Sequence, residues 1–104
     1  MYVQIITIKA PVGEINSIRH FIQNDYLPQM KQVAGFSQAH FLEQMDDRDT
    51  AKLIVYWRDQ TSAENANGTG LLMDAATSLV AHVPGTRVQR TGYIMHNQLA
   101  VENA

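Results

Sequence analysis

Lys52-Leu53-Ile54-Val55-Tyr56-Trp57 is a run of β-branched, aliphatic and aromatic residues with a single charge at its start. Such a run reads as a strand. Successive side chains of a strand point to opposite faces. Leu53, Val55 and Trp57 therefore oppose Ile54 and Tyr56, and neither set is polar. A sheet covered by helices on one side only would alternate apolar with polar residues. This strand does not, so it belongs to a sheet that needs cover on both faces.

Reading outward toward the C-terminus, Arg58-Asp59 leads into Thr61-Ser62-Ala63-Glu64, which has the spacing of a capping box and predicts a helix start. Asn67-Gly68-Thr69-Gly70 disturbs that helix. It resumes through Leu72, Ala75, Ala76, Leu79 and Val83, and Pro84-Gly85 stops it. Residues 87–99 read as a last, more polar strand, with a frayed tail after Ala100. Toward the N-terminus, Asp46-Asp47-Arg48-Asp49 is a polar hairpin turn, and residues 36–45 form the strand before it. Residues 14–33 place Ile15, Ile18, Ile22, Tyr26, Met30 and Val33 at helical spacing. Pro28 cannot donate to the carbonyl of Asn24, so a kink or break near Leu27 is expected. Residues 2–9 are a first strand that is again apolar on both sides, with Val3 and Ile5 opposing Ile6 and Ile8.

The order strand–helix–strand–strand–helix–strand predicts an α+β, ferredoxin-like fold with a four-stranded antiparallel sheet and both helices on one face. One domain spanning residues 1–104, with an ordered core of about 2–99, accounts for the whole chain. The helices cover one face. A second copy of the chain is the simplest cover for the other, and this predicts a homodimer joined through the sheet face.

Composition excludes several classes of function. The formal net charge is −2, and the basic residues are scattered, so there is no concentrated basic face for nucleic acid. There is no cysteine, which removes disulfides, thiol nucleophiles and cysteine-based metal sites. No apolar stretch reaches membrane-spanning length, and no leader precedes the first strand, so a cytoplasmic protein is expected. The histidines His20, His40, His82 and His96 include no close helical pair of the H-E-x-x-H kind. Asp46, Asp47 and Asp49 lack the alternating spacing of a calcium loop. No metal is expected. Gly68-x-Gly70 lacks the third glycine of a phosphate loop.

The remaining chemistry-bearing residues each have two readings. His40 and His96, both on predicted strands, have the right intrinsic pKa for a general base. Arg90 can stabilise an anionic intermediate or act as an edge-strand charge that discourages aggregation. Trp57 can stack on an aromatic ligand or serve as core. Tyr26 and Tyr93 offer hydroxyls to a ligand, and Tyr26 also belongs to the apolar stripe of its helix. Asn65 and Asn67 flank the glycine break, which can border a pocket entrance. His82 sits where a helix C-terminus favours a cation, and His20 reads as solvated.

The element order, Gly35-Phe36 opening the second strand, and Val55-Tyr56-Trp57-Arg58-Asp59 leading into Thr61-Ser62-Ala63-Glu64 together resemble antibiotic-biosynthesis-monooxygenase-type domains of the dimeric α/β-barrel superfamily. The resemblance covers nearly the whole chain and implies a dimeric α/β barrel with a pocket between sheet and helices in each subunit. It implies a small apolar or aromatic ligand and a cofactor-independent monooxygenase acting on an aromatic, quinol-like substrate. A non-enzymatic ligand-binding or stress-response dimer on the same scaffold is the alternative. The haem-cleaving branch carries an Asn on the first strand and a Trp and a His on the second helix. Ungapped alignment from Trp57 puts Ala66 and Ala76 at the helix positions, and the first strand offers Thr7 but no Asn, so haem cleavage is disfavoured. The monooxygenase branch commonly has aromatic or His residues early in the second helix, where this chain has Asn65-Ala66-Asn67-Gly68-Thr69-Gly70.

Overall fold

The computed structural model of the chain describes residues 1–68 and 75–101. The strands are β1 (Tyr2–Lys9), β2 (Phe36–Glu43), β3 (Thr50–Trp57) and β4 (Arg87–Ile94), and the helices are α1 (Ile15–Phe21), α2 (Leu27–Met30), α3 (Gln60–Gly68) and α4 (Ala75–His82). A π-helical turn, Ile22–Tyr26, joins α1 to α2 without a break. The sheet is antiparallel throughout, in the order β2-β3-β1-β4, so the two most apolar strands lie at its centre. It is an open sheet with β2 and β4 as its edges.

Register separates the two faces. Ile6 pairs with Leu53, and Ile8 with Ala51. Their side chains are buried with Val55 and Trp57 against Ile18, Ile22, Tyr26, Met30, Ala63, Leu79 and Val83 of the helical layer. Phe36, Ala39 and Phe41 of β2 join that side. The other face carries Val3, Ile5, Ile54, Tyr56 and Tyr93 toward one end and Lys9, Lys52 and Arg87 toward the other. The apolar character expected of this face is therefore concentrated in half of it, because the edge strands contribute mainly polar residues such as Gln38, His40, Gln89 and Thr91.

The structure refines four local expectations. The β2–β3 ladder ends at Glu43 and restarts at Thr50, because Asp47 turns the chain: its carboxylate accepts from Asp49 N–H (3.2 Å), Thr50 Oγ1 (2.7 Å) and Lys9 Nζ (2.8 Å). Helix α3 starts one residue before Thr61, and its cap is Asp59, whose Oδ1 accepts from Ser62 N–H at 2.8 Å. Glu64 instead accepts from Gln60 Nε2 at 3.0 Å. The irregularity expected near Leu27 takes the form of a π turn that ends at Tyr26 and carries the helical path on into α2: Leu27 N–H bonds the carbonyl of Ile22, five residues back. Strand β4 ends at Ile94 rather than 99, since its partner β1 begins at Tyr2, opposite Ile94, and Met95 N–H makes the last bond, to Met1. The expected disturbance at residues 67–70 and the resumption at Leu72 fall largely on residues outside those described.

Candidate functional site

Trp57 closes β3 and is 2% exposed. Its indole faces the helices because the alternation that buries Leu53 and Val55 buries it too. The ring meets Phe36 edge-on, with centroids 6.0 Å apart. Its Nε1–H donates to Gln4 Oε1 at 3.0 Å. Gln4 lies on the first strand opposite Val55, so its carboxamide is the polar group beside this aromatic wall. Tyr26, 9% exposed, is brought into the same core by the π turn. Arg90 pairs with Ile6 and therefore takes the helix side of β4, exposed at the edge of the sheet.

The other candidates are elsewhere. His40 pairs with Ile54 on the opposite face, where it is exposed and meets Tyr56 edge-on at 5.5 Å. Tyr93 pairs with Val3 on that face and is 50% exposed. His96 is not on a strand: it lies past the end of β4, where β1 offers no further partner. Asn65 is exposed on α3. Asn67 belongs to α3, and its side chain lies outside the described residues. The helix-side set is thus Trp57, Tyr26 and Arg90, to which the structure adds Gln4. Sequence reading passed over Gln4. Its signal was a polar residue in step with Ile6 and Ile8, but its contact with a residue 53 positions away is set by strand register.

All four histidines are exposed. The ring of His82 packs against Phe21 at a tilt of 34°, with centroids 4.7 Å apart. The charge network of the domain lies at the far end of the sheet, around a cleft of about 630 Å³. There Arg19 clasps Glu43 with two N–H···O bonds and donates to Asn16 at 2.8 Å. The guanidinium holds the Glu43 carboxyl below its usual range and is itself pushed up. Asp47 is lowered chiefly by Lys9, and Asp59 chiefly by the Ser62 backbone N–H. These carboxylates are committed to ion pairs and caps. No metal-binding group of His, Asp and Glu occurs among the described residues, and no described helix is long and apolar enough to cross a membrane.

No protein-family model and no curated protein matches the sequence. Solved structures match its fold over nearly the full length. A Deinococcus radiodurans protein provisionally named an antibiotic biosynthesis monooxygenase superposes with a TM-score of 0.77 at 12% identity, over 99% of this chain and 100% of that one. SnoaB, a cofactor-independent oxygenase from Streptomyces nogalater, gives 0.75 at 14% identity, over 94% and 95%. A monooxygenase from Streptomyces coelicolor, in complex with Nanaomycin D, gives 0.69 at 11% identity, over 97% and 92%. The sheet order, the one-sided helical layer and these superpositions together show that the chain has the fold of the antibiotic-biosynthesis-monooxygenase-type domains.

Proposed function

We propose that the chain is a cytoplasmic homodimer that binds a small aromatic, quinol-like molecule on the helix side of each sheet and acts on it as a cofactor-independent monooxygenase. The observation that carries this reading is the Trp57–Gln4 pair: an aromatic wall with one fixed polar group, in a fold that includes a cofactor-independent oxygenase and a monooxygenase with a small ligand. In such a reaction the substrate loses a proton, its carbanion adds O₂, and loss of water leaves a quinone. The protein supplies orientation, a dry surface and stabilisation of the developing charge. With all four histidines exposed, the proton passes to solvent water: the substrate's own C–H is acidic, and the peroxide formed with O₂ takes a proton back before water leaves.

The separation of His40 and His96 from Trp57 favours a second reading, a dimer that binds such molecules without transforming them. One experiment separates the two. Oxygen uptake is followed with purified, metal-free protein and a panel of hydroquinones and anthrone, alongside the melting temperature with each compound. Uptake above autoxidation supports the enzyme. A raised melting temperature without uptake supports the binder. Neither effect with any compound rejects both.

A further inference from the structure

Two polar side chains on the helix side of the sheet carry hydrogen-bonding capacity that no group among the described residues uses. An indole N–H can only donate, so Gln4 must turn its Oε1 to Trp57, and its Nε2 keeps both N–H donors. The hydroxyl of Tyr2 makes no hydrogen bond to another of the described residues. Neither atom is sealed in the core, since no side-chain nitrogen or oxygen among the described residues is buried without a partner. Tyr2 and Gln4 share one face of β1 and lie opposite Ile94 and Gly92 of β4. Gly92 decides where the Tyr2 ring lies: a Cβ at position 92 would collide with the hydroxyl and stand 2.8 Å from Cζ. The phenol thus crosses the bare backbone of Gly92, the residue directly across from Gln4. Opposed Cβ positions in a sheet are about 4.5–5.5 Å apart, so the hydroxyl over Gly92 of β4 lies beside Gln4, whose carboxamide is held from the other side by Trp57 of β3.

We propose that Tyr2 and Gln4 form a two-point donor site for an oxygen of the aromatic ligand, either a carbonyl or a phenolate. This rests on the reading above that an aromatic molecule binds on the helix side. The chemistry follows from the donor count. Gln4 Nε2 only donates, Tyr2 can donate, and the acceptor atom of Gln4 is already taken by Trp57. The partner must therefore be an acceptor, and one that gains negative charge as the substrate loses its proton is held more tightly. Glycine at position 92 is the residue that makes room for the site.

The test compares wild type, Gln4→Glu and Tyr2→Phe, titrated without oxygen with anthrone and with 9,10-dihydroanthracene. The second compound has the same ring frame with a methylene in place of the carbonyl. The readout is the fluorescence of Trp57, the chain's one tryptophan. Gln4→Glu keeps the size and the acceptor for Trp57 but removes both donors. Each variant is expected to raise the anthrone Kd about tenfold and to leave dihydroanthracene within about twofold. Unchanged anthrone affinity in both variants overturns this inference alone, as does equal weakening of both compounds, which would mark a packing role. Failure of wild type to bind either compound overturns the aromatic-ligand reading and this inference with it.

Discussion

At the scale of single residues, the structure turns on close approaches that only particular side chains permit. Gly35, with φ +84°, ends the turn into β2, and its carbonyl accepts from Arg58 N–H at 2.7 Å. A Cβ at position 35 would collide with Oγ and Cβ of Ser62, the third residue of α3. Gly35→Ala should cost about 1–2 kcal/mol for the left-handed backbone and about 1–3 kcal/mol more for overpacking against Ser62. In a Ser62→Gly background only the backbone penalty should remain. A double-mutant cycle on urea midpoints measures the difference. An equal cost in both backgrounds would mean that α3 does not press on Gly35. Periodicity put Tyr26 on the apolar stripe of its helix and Trp57 in step with Leu53 and Val55, and the structure buries that face. It could not disclose which face His40 takes, because β2 and β3 are paired with a bulge between Phe36 and Gln38 that resets the alternation.

At the scale of elements, the π turn answers a mismatch written in the first helix. Its apolar residues Ile18, Ile22, Tyr26 and Met30 are spaced by four. An α-helix advances 100° per residue, so each step of four overshoots by about 40° and three steps by about 120°. Left as a plain α-helix, the segment would turn Met30 away from the core in which it is 2% exposed. The wider π turn takes up the drift. It also leaves Pro28 at the start of α2, where a missing N–H costs little. Deleting Asn24 would restore spacings that an unbroken α-helix serves, but would put Pro28 inside it. That deletion alone should cost about 3 kcal/mol, and Pro28→Ala added to it should recover most of the loss. Chemical denaturation of both proteins checks this. If Pro28→Ala brings no recovery, packing rather than the proline fixes the π turn.

The whole molecule is a slab of 37 × 36 × 23 Å, with a radius of gyration of 14.0 Å where a compact chain of this length has about 13 Å. The short dimension holds one helical layer and one sheet, and the second face of the sheet is left with Ile5, Ile54 and Tyr56 half-buried and Tyr93 50% exposed. We propose that a second copy packs there. Ile54→Lys, on the central strand β3 of that face, should then give particles of 11.7 kDa in light scattering where wild type gives twice that mass. The melting temperature of wild type should rise with protein concentration and that of the variant should not. A wild type of 11.7 kDa at micromolar concentration would end the dimer proposal.

The order of elements, the central strands and the one-sided helical layer were legible in the sequence, because hydrophobic period and turn residues are local signals that adjacent positions carry. Pairings between distant segments were not. The register that sets Trp57 on Gln4, the turn of His40 away from the helices, the end of β4 at Ile94 and the π turn all depend on where a partner strand or a packed core stops. Only the tertiary structure decided these, since a strand's faces and ends are defined by its neighbours and not by its own residues.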